Sequence, residues 1–300
     1  MWTKDNFTDQ SGKTTIVTGA NTGIGFETAL ALYQQGAHVI LACRNPQHAA
    51  AAINRLQAQG GKGTLEAITL DLSDLASVKQ FAGTFLQKHQ QLDLLINNAG
   101  VMTPPASKTV QGYELQFGVN FLGHFALTGH LYPLLKTTSG ARVVTLCSMA
   151  YLGAAIDFEN LKSEKSYDAM REYKQSKLAD LLLSVELQRR ITATNDRILS
   201  IAAQPGANNT ELSRFMSDEA YAAAIDRIGT LMEPWQGALP SLYAAMSPEA
   251  LGGRLYGPHE EGGYRGFPAD SPITPNALDE DAARQLWNMA EEVTGVRFPA

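Results

Sequence analysis

Through its first two hundred residues the chain alternates short apolar, β-branched runs with longer amphipathic stretches, and few folds accommodate that rhythm. Thr14–Thr18, His38–Cys43, Thr64–Leu70, Leu92–Asn97, Arg142–Cys147 and Arg197–Ala203 are expected strands. Most lack the polar alternation of a sheet with one wet face, so burial on both faces is expected, as in parallel strands. Between them, Thr22–Gln35, Pro46–Gln59, Ser73–Lys88, Gly112–Lys136 and Tyr167–Arg190 read as helices, with Asn45 and Ser73 as caps. A doubly wound α/β architecture follows: one parallel sheet with helices on both faces.

After Pro205 the pattern loosens. Glu211–Thr230 reads as one or two short helices, Pro234–Met246 as a helix, and Gly253–Tyr256 as a short strand. Gly262–Asn276, rich in Gly and Pro, reads as a surface loop, and Asp279–Val293 as the last helix. Nothing resembling a linker sets this tail apart, so residues 1–300 are expected to form a single domain.

Composition excludes several classes. A net charge of −6 argues against a nucleic-acid binder. No run approaches the roughly 18 apolar residues of a membrane span, and the polar start MWTKDNFTDQ does not read as a signal peptide. Cys43 and Cys147 lie in apolar runs and read as reduced, buried thiols, so a cytoplasmic protein is expected. The six histidines show no H-E-x-x-H or related metal spacing, so no metal is expected; His124 and His130 read as helix-packing or surface groups. No G-x-S-x-G elbow occurs, and no P-loop lysine follows the glycine turn.

Three features carry chemistry. The first is Thr18-Gly19-Ala20-Asn21-Thr22-Gly23-Ile24-Gly25, between the first strand and the first helix. Glycines let a backbone turn sharply and approach a pyrophosphate, for which the helix N-terminus offers free N–H groups. That context points to a Rossmann-type dinucleotide site, although the spacing G-x3-G-x-G also fits a plain tight turn. The second is the end of the second strand. A carboxylate there would hydrogen-bond the ribose of NAD; this chain instead has Cys43 and then Arg44, 19 residues past Gly25. Arg44 can pair with the 2′-phosphate of NADP(H), which makes NADP(H) the expected cofactor; a plain surface arginine is the alternative. The third is Tyr173-Lys174-Gln175-Ser176-Lys177. Residues four apart share a helix face, and an ammonium beside a phenol is expected to lower its pKa toward neutrality. The spacing alone decides little, because Tyr132 and Lys136 repeat it. That second pair reads as packing and a helix C-terminal cation.

The glycine turn, Asn97-Asn98-Ala99-Gly100, Asn120, Ser148, Tyr173-x3-Lys177 and Pro205-Gly206-x3-Thr210 together resemble the short-chain dehydrogenase/reductase family over essentially the whole chain. Ala42-Cys43-Arg44-Asn45, Asn120-Phe121-Leu122-Gly123-His124-Phe125 and Tyr173-x2-Ser176-Lys177-Leu178-Ala179 resemble its retinol-dehydrogenase-like branch. The resemblance implies hydride transfer between a nicotinamide and a carbonyl carbon. Tyr173 would be the general acid for carbonyl reduction or the base for alcohol oxidation. Ser148 would hold the substrate oxygen, Lys177 the nicotinamide ribose, and Asn120 a water linking Lys177 to solvent. Gly19, Asn21, Thr22, Gly23, Ile24 and Gly25 would cradle the pyrophosphate. Asp71 and Leu72 would flank the adenine; Asn98, Ala99 and Gly100 would line the cofactor; Pro205, Gly206 and Thr210 would close over the nicotinamide end. Asp71 also fits a helix cap, Asn98 a structural turn, Ser148 an ordinary strand-end hydroxyl, and Asn120 a buried polar bridge.

Met102, Met149, Tyr151 and Leu152, with Asn208–Ile228, are the expected pocket, which points to a hydrophobic ketone, aldehyde or secondary alcohol. Gln204 replaces a histidine common in the branch and is expected to alter substrate contacts. The long loop Met149–Met170 is expected beside the pocket and against the family's helix-bundle dimer contact; monomer and homo-oligomer both fit the sequence. No apolar anchor stands at either end, which argues against a retinoid substrate. Two other readings stay open: an NADPH-dependent C=C reductase, which uses the same Tyr–Lys pair, and a non-catalytic NADP-binding regulator.

Overall fold

Strands rich in Val, Ile and Leu, flanked by amphipathic helices, leave a sheet no wet face. In the computed structural model, which describes residues 1–299, eight strands join in one sheet. They are β1 (Thr14–Thr18), β2 (His38–Cys43), β3 (Thr64–Thr69), β4 (Leu94–Asn97), β5 (Arg142–Leu146), β6 (Leu199–Ala203), β7 (Leu255–Glu260) and β8 (Arg265–Ser271). The order is β3-β2-β1-β4-β5-β6-β7-β8, parallel up to β7, with β8 antiparallel. The order reverses between β1 and β4, which opens a crevice at their carboxyl ends, where open α/β sheets bind ligands.

The helices are α1 (Gly23–Gln34), α2 (Pro46–Ala58), α3 (Leu75–Lys88), α4 (Gly123–Thr137), α5 (Ala169–Thr194), α6 (Asp218–Ile228), α7 (Pro234–Met246) and α8 (Glu280–Thr294). Alternate strand residues feed two cores. Ile16, Ile40, Leu95 and Val143 pack toward α3, α4 and α5, whereas Val17, Leu41, Ile96 and Val144 pack toward α1, α2 and α7. The doubly wound α/β architecture expected from the sequence is therefore present.

Three expected elements differ. Helix α3 starts later and is capped by Asp74, whose carboxylate accepts from Ala76 N; the Ser73 hydroxyl donates instead to Asp71. The single long helix expected over 112–136 opens as a π-turn, Phe117–Leu122, before α4. The Gly/Pro-rich stretch expected as a loop contains β8, paired along β7 with Pro268 opposite Pro258. An edge strand has one unpaired side, so it tolerates a residue without an N–H.

The C-terminal segment completes the first core. The Phe298 ring meets Trp287 and Phe125 at centroid distances of 4.8 and 4.9 Å. Gly129 makes the room: a Cβ there would sit 2.5 Å from the Phe298 ring. Phe298→Ala is expected to lower unfolding stability by about 3–5 kcal/mol, the usual cost of emptying a buried aromatic site. Urea unfolding with an unchanged slope checks it.

Candidate active site

The crevice is built around the end of β1. Gly19 turns with φ +66°, and a Cβ there would meet Ala99 at 3.0 Å. A Cβ on Gly25 would lie 2.5 Å from the Gly19 carbonyl, so the turn and α1 pack closer than any side chain permits. Thr22 precedes helix α1 as its N-cap but makes no side-chain cap, and no acidic residue occupies the first turn. The leading N–H groups of α1 are therefore available to an anion. Asn21 and Thr22 supply the turn backbone, and Ile24 packs into the second core. Thr210 lies over Gly23, its Cγ2 3.4 Å from where a Cβ would sit. The geometry fits a dinucleotide pyrophosphate.

One hydroxyl organises the neighbouring loop. Thr18 Oγ1 accepts from both Asn98 N and Ala99 N at 2.9 Å, while Asn98 Nδ2 donates to the Thr18 carbonyl at 2.7 Å. Asn98 thus takes its structural role, and its backbone with Ala99 and Gly100 borders the crevice. His124, fully buried, lies 2.9 Å from the same hydroxyl and 2.7 Å from the Asn120 carbonyl. A carbonyl only accepts, so His124 Nδ1 carries the proton and Nε2 accepts from Thr18. Burial holds this imidazole down to about 4, which keeps it neutral.

Asn120 sits in the π-turn, a distortion frequent at functional positions. Its Oδ1 accepts from Val101 N at 2.9 Å, and its Nδ2 donates to the Val101 carbonyl and to Ser176 Oγ. The side chain is thus a buried bridge between the β4 loop and α5. Its Oδ1 and Lys177 Nζ both lie beside Gly100.

Tyr173 and Lys177 share one face of α5, 4% and 5% exposed, across from Ser148 at the end of β5. Ser148 Oγ caps the short turn Met149–Tyr151 and faces the Tyr173 phenol, whose ionised form it favours. Lys177 Nζ donates to the Leu146 carbonyl at 3.1 Å and to Asp180 at 2.8 Å. Burial raises the Tyr173 pKa; Lys177 and Ser148 pull it down, as expected, but the net direction is upward. The expected lowering is therefore reversed, because desolvation of a phenolate outweighs one ammonium that Asp180 already engages. Burial likewise works to lower Lys177, yet Asp180 and Tyr173 leave it raised, hence charged.

Asp180 was not legible as a site residue. It is 1% exposed, its Oδ1 has no partner, and burial pushes it up to about 7 despite Lys177. The i+3 spacing from Lys177 was the available signal, but on a sequence it looks like any surface helix pair.

Other expected residues divide. Arg44 is exposed just past β2, and among the described residues it has no carboxylate partner. Gly19 N donates to the Ala42 carbonyl at 2.9 Å, which puts the end of β2, and Arg44 after it, next to the glycine turn; burial pushes the adjacent Cys43 thiol to about 11. Asp71 accepts from Ser73 N and Oγ, so its side chain closes a turn before α3. Leu72 packs in the core against Gly123 rather than presenting its side chain to the crevice. Gly206 turns with φ +70°, and Ala207 N bonds the Tyr264 carbonyl, which draws Pro205 and Gly206 against the β7–β8 hairpin. Met102 is half-buried on the loop beyond Val101, and Met149 lies beside Gly263.

Two expectations are corrected. Tyr151 is 2% exposed and packs in the core, its hydroxyl on the Pro272 carbonyl, so its ring does not line a pocket. Gln204, also buried, bridges Gly206 N and the Gly263 carbonyl instead of facing substrate. The loop after Met149 is laid along α5, where Asp157 N donates to Gln175 and Phe158 packs on the first core.

The family model for short chain dehydrogenases matches residues 13–220. The chain belongs to the short-chain dehydrogenase family. Retinol dehydrogenase 14 of Mus musculus is 38% identical over 95% of this chain and 86% of its own length. Retinol dehydrogenase 13 of Homo sapiens is 37% identical over 96% and 86%. A crystal structure of an uncharacterised protein from Mycobacterium paratuberculosis superposes with a TM-score of 0.84 at 36% identity, covering 100% and 99% of the two chains. The Pseudomonas aeruginosa RhlG/NADP complex gives 0.67 at 26% identity, covering 82% and 94%. This short-chain dehydrogenase is therefore an oxidoreductase with a nicotinamide-cofactor fold. Among the described residues no helix is long and apolar enough to cross a membrane.

Asp180 gives the site a pH signature. Folded, it keeps its proton up to about 7; unfolded, it loses it near 3.8. Between those values the folded chain holds the extra proton, so this group's contribution to stability is complete below pH 3.8 and is lost as pH rises through 7. Asp180→Asn, which cannot titrate, is expected to flatten that decline in urea unfolding followed from pH 4 to 8.

Proposed function

We propose that this chain is an NADP(H)-dependent oxidoreductase interconverting a small hydrophobic ketone or aldehyde and its alcohol, acting as one domain. The observation that carries the reading is the cluster of buried Tyr173 and Lys177 with half-buried Ser148 at the mouth of the glycine-lined crevice. When bound, the nicotinamide supplies or accepts the hydride. This chain's residues handle the proton and the geometry. The raised Tyr173 phenol is protonated at neutral pH and can donate to a carbonyl oxygen. The Ser148 hydroxyl is within reach of the same oxygen and steadies charge that develops there. The Lys177 ammonium, held by Leu146 and Asp180, supplies the positive charge that favours phenolate once the proton has left. Asn120 fixes α5 to the β4 loop through Ser176 and Val101.

Substrate class is supported by the retinol dehydrogenases among the relatives and by the segment after Thr210. No residue of α6 is buried, and Phe215 before it and Tyr221 on it are exposed, which suits closure over an apolar molecule. The preference for NADP(H) rests on Arg44, exposed and without a carboxylate partner beside the turn. Two buried free thiols suit a reducing compartment, so a cytoplasmic location belongs to the proposal.

Tyr173→Phe is expected to lower carbonyl reduction with NADPH by about 10²–10⁴-fold while NADPH binding is kept. Stopped-flow turnover and fluorescence titration check the two halves; unchanged turnover would remove Tyr173 from the mechanism. A saturated carbonyl product in place of an alcohol would instead identify C=C reduction.

Arg44→Asp is expected to weaken NADPH by about 10–100-fold, the value of one or two charge-assisted hydrogen bonds, and to leave NADH little changed. Competitive titration of both cofactors checks it, and equal losses would reject the 2′-phosphate role.

A further inference from the structure

The sequence shows no metal spacing, yet the fold assembles a donor set that the spacing hides. His38 opens β2, Glu66 lies on β3 and His89 caps the end of α3. One ligand atom from each lies within 4.8 Å of the others. His89 Nε2 is 3.1 Å from Glu66 Oε2, and His38 Nε2 is 3.6 Å from the same oxygen. Ligands at 2.0–2.1 Å around a tetrahedral zinc stand about 3.3 Å apart, so these separations are near those of a loaded site.

Three neighbours prepare the donors. His38 Nδ1 meets Thr64 Oγ1 at 2.5 Å, which leaves Nε2 to face the cluster. Metal-binding imidazoles use their second nitrogen in this way. Lys88 takes the other carboxylate oxygen, Oε1, at 2.7 Å and fixes the rotamer without blocking Oε2. His89 stacks on the buried Phe85 ring at 4.6 Å, which holds its plane. All three side chains are part-exposed, which leaves a fourth position to water.

We propose that His38, Glu66 and His89 form a binding site for a borderline divalent cation of the zinc type, separate from the catalytic crevice. Two imidazoles and one carboxylate suit zinc, whereas magnesium and calcium prefer all-oxygen shells. The site lies at the amino ends of β2 and β3. The length of β2, about 17 Å from His38 to Cys43, separates it from the glycine turn. A cation there ties the edge strand to β2 and to the end of α3, so it acts on stability and not on hydride transfer.

The test is zinc alone, titrated calorimetrically into chelator-stripped protein, with thermal unfolding alongside. One zinc per chain and a raised melting temperature are expected, with no binding of magnesium. His38→Gln and His89→Gln are each expected to weaken zinc more than tenfold and to abolish the melting shift. Thr64→Val, which leaves all three ligands in place, is expected to weaken zinc by about tenfold through loss of the Nδ1 partner. Melting of each variant without metal controls for folding. Absence of zinc uptake by the parent chain, or uptake unchanged in a His38→Gln/His89→Gln double variant, would overturn the proposal.

Discussion

Removing an ammonium from water costs several kcal/mol unless partners replace the water it loses. Lys177 is buried all the same, so the structure around it is arranged to hold a charge. The Leu146 carbonyl, at the last residue of β5, turns toward it, and Asp180 supplies a countercharge from one turn along α5. Both partners are backbone or helix features fixed by the fold. The placement of α5 against the end of β5 is thereby linked to the charge state of one side chain. Asp180 feels the same constraint from the other side. Its second oxygen is unpartnered, and burial drives its pKa upward even with a lysine in contact. A carboxylate poised near neutrality beside the lysine that tunes the tyrosine couples the titration of all three groups.

That cluster has to be aligned with the glycine turn, which belongs to a different part of the chain. The link is a chain of buried polar contacts. Thr18 ends β1 and anchors Asn98 and Ala99; His124 joins Thr18 to the Asn120 carbonyl; Asn120 reaches Val101 and Ser176 on α5. Each member is satisfied in one geometry, and in a low-dielectric interior an unpaired polar atom is costly. The π-turn at Phe117–Leu122 belongs to the same arrangement. It widens the backbone where Asn120 must turn inward, so a local irregularity serves the registry of two distant elements.

The fold was legible because it follows from hydrophobic rhythm. Parallel strands and their helices announce themselves by composition, and β2 and α7 keep the bounds that the pattern gave them. Errors fall where local chemistry competes with rhythm. Ser73 and Asp74 are equally good caps on paper, and only tertiary contact to Asp71 chooses between them. The hairpin strand β8 is masked by Gly and Pro because its ladder partner, not its own propensity, holds it. Ser148 was legible in position, since a residue just past a strand end is placed by the strand itself, and the structure puts it against Tyr173. The site was illegible where the role depends on a neighbour brought from afar: Tyr151 is drawn into the core, Gln204 into a turn, and His38, Glu66 and His89 into one cluster.

The two Tyr-x3-Lys pairs show why spacing cannot identify a catalytic tyrosine. Tyr132 and Lys136 on α4 have the same geometry along the helix as Tyr173 and Lys177 on α5. Between the first pair sits Asp196, accepting from the Tyr132 hydroxyl at 2.7 Å and facing Lys136 at 3.2 Å. Burial raises this phenol and the adjacent carboxylate raises it further, so the surroundings oppose phenolate on both counts. Around Tyr173 burial also opposes phenolate, but Lys177 and Ser148 favour it. The lysine next to each tyrosine is the same; what differs is where its charge is directed. Asp196 engages tyrosine and lysine together. Asp180 hydrogen-bonds the lysine and not the tyrosine, which it opposes only through its charge, so Lys177 still pulls Tyr173 downward even though burial wins.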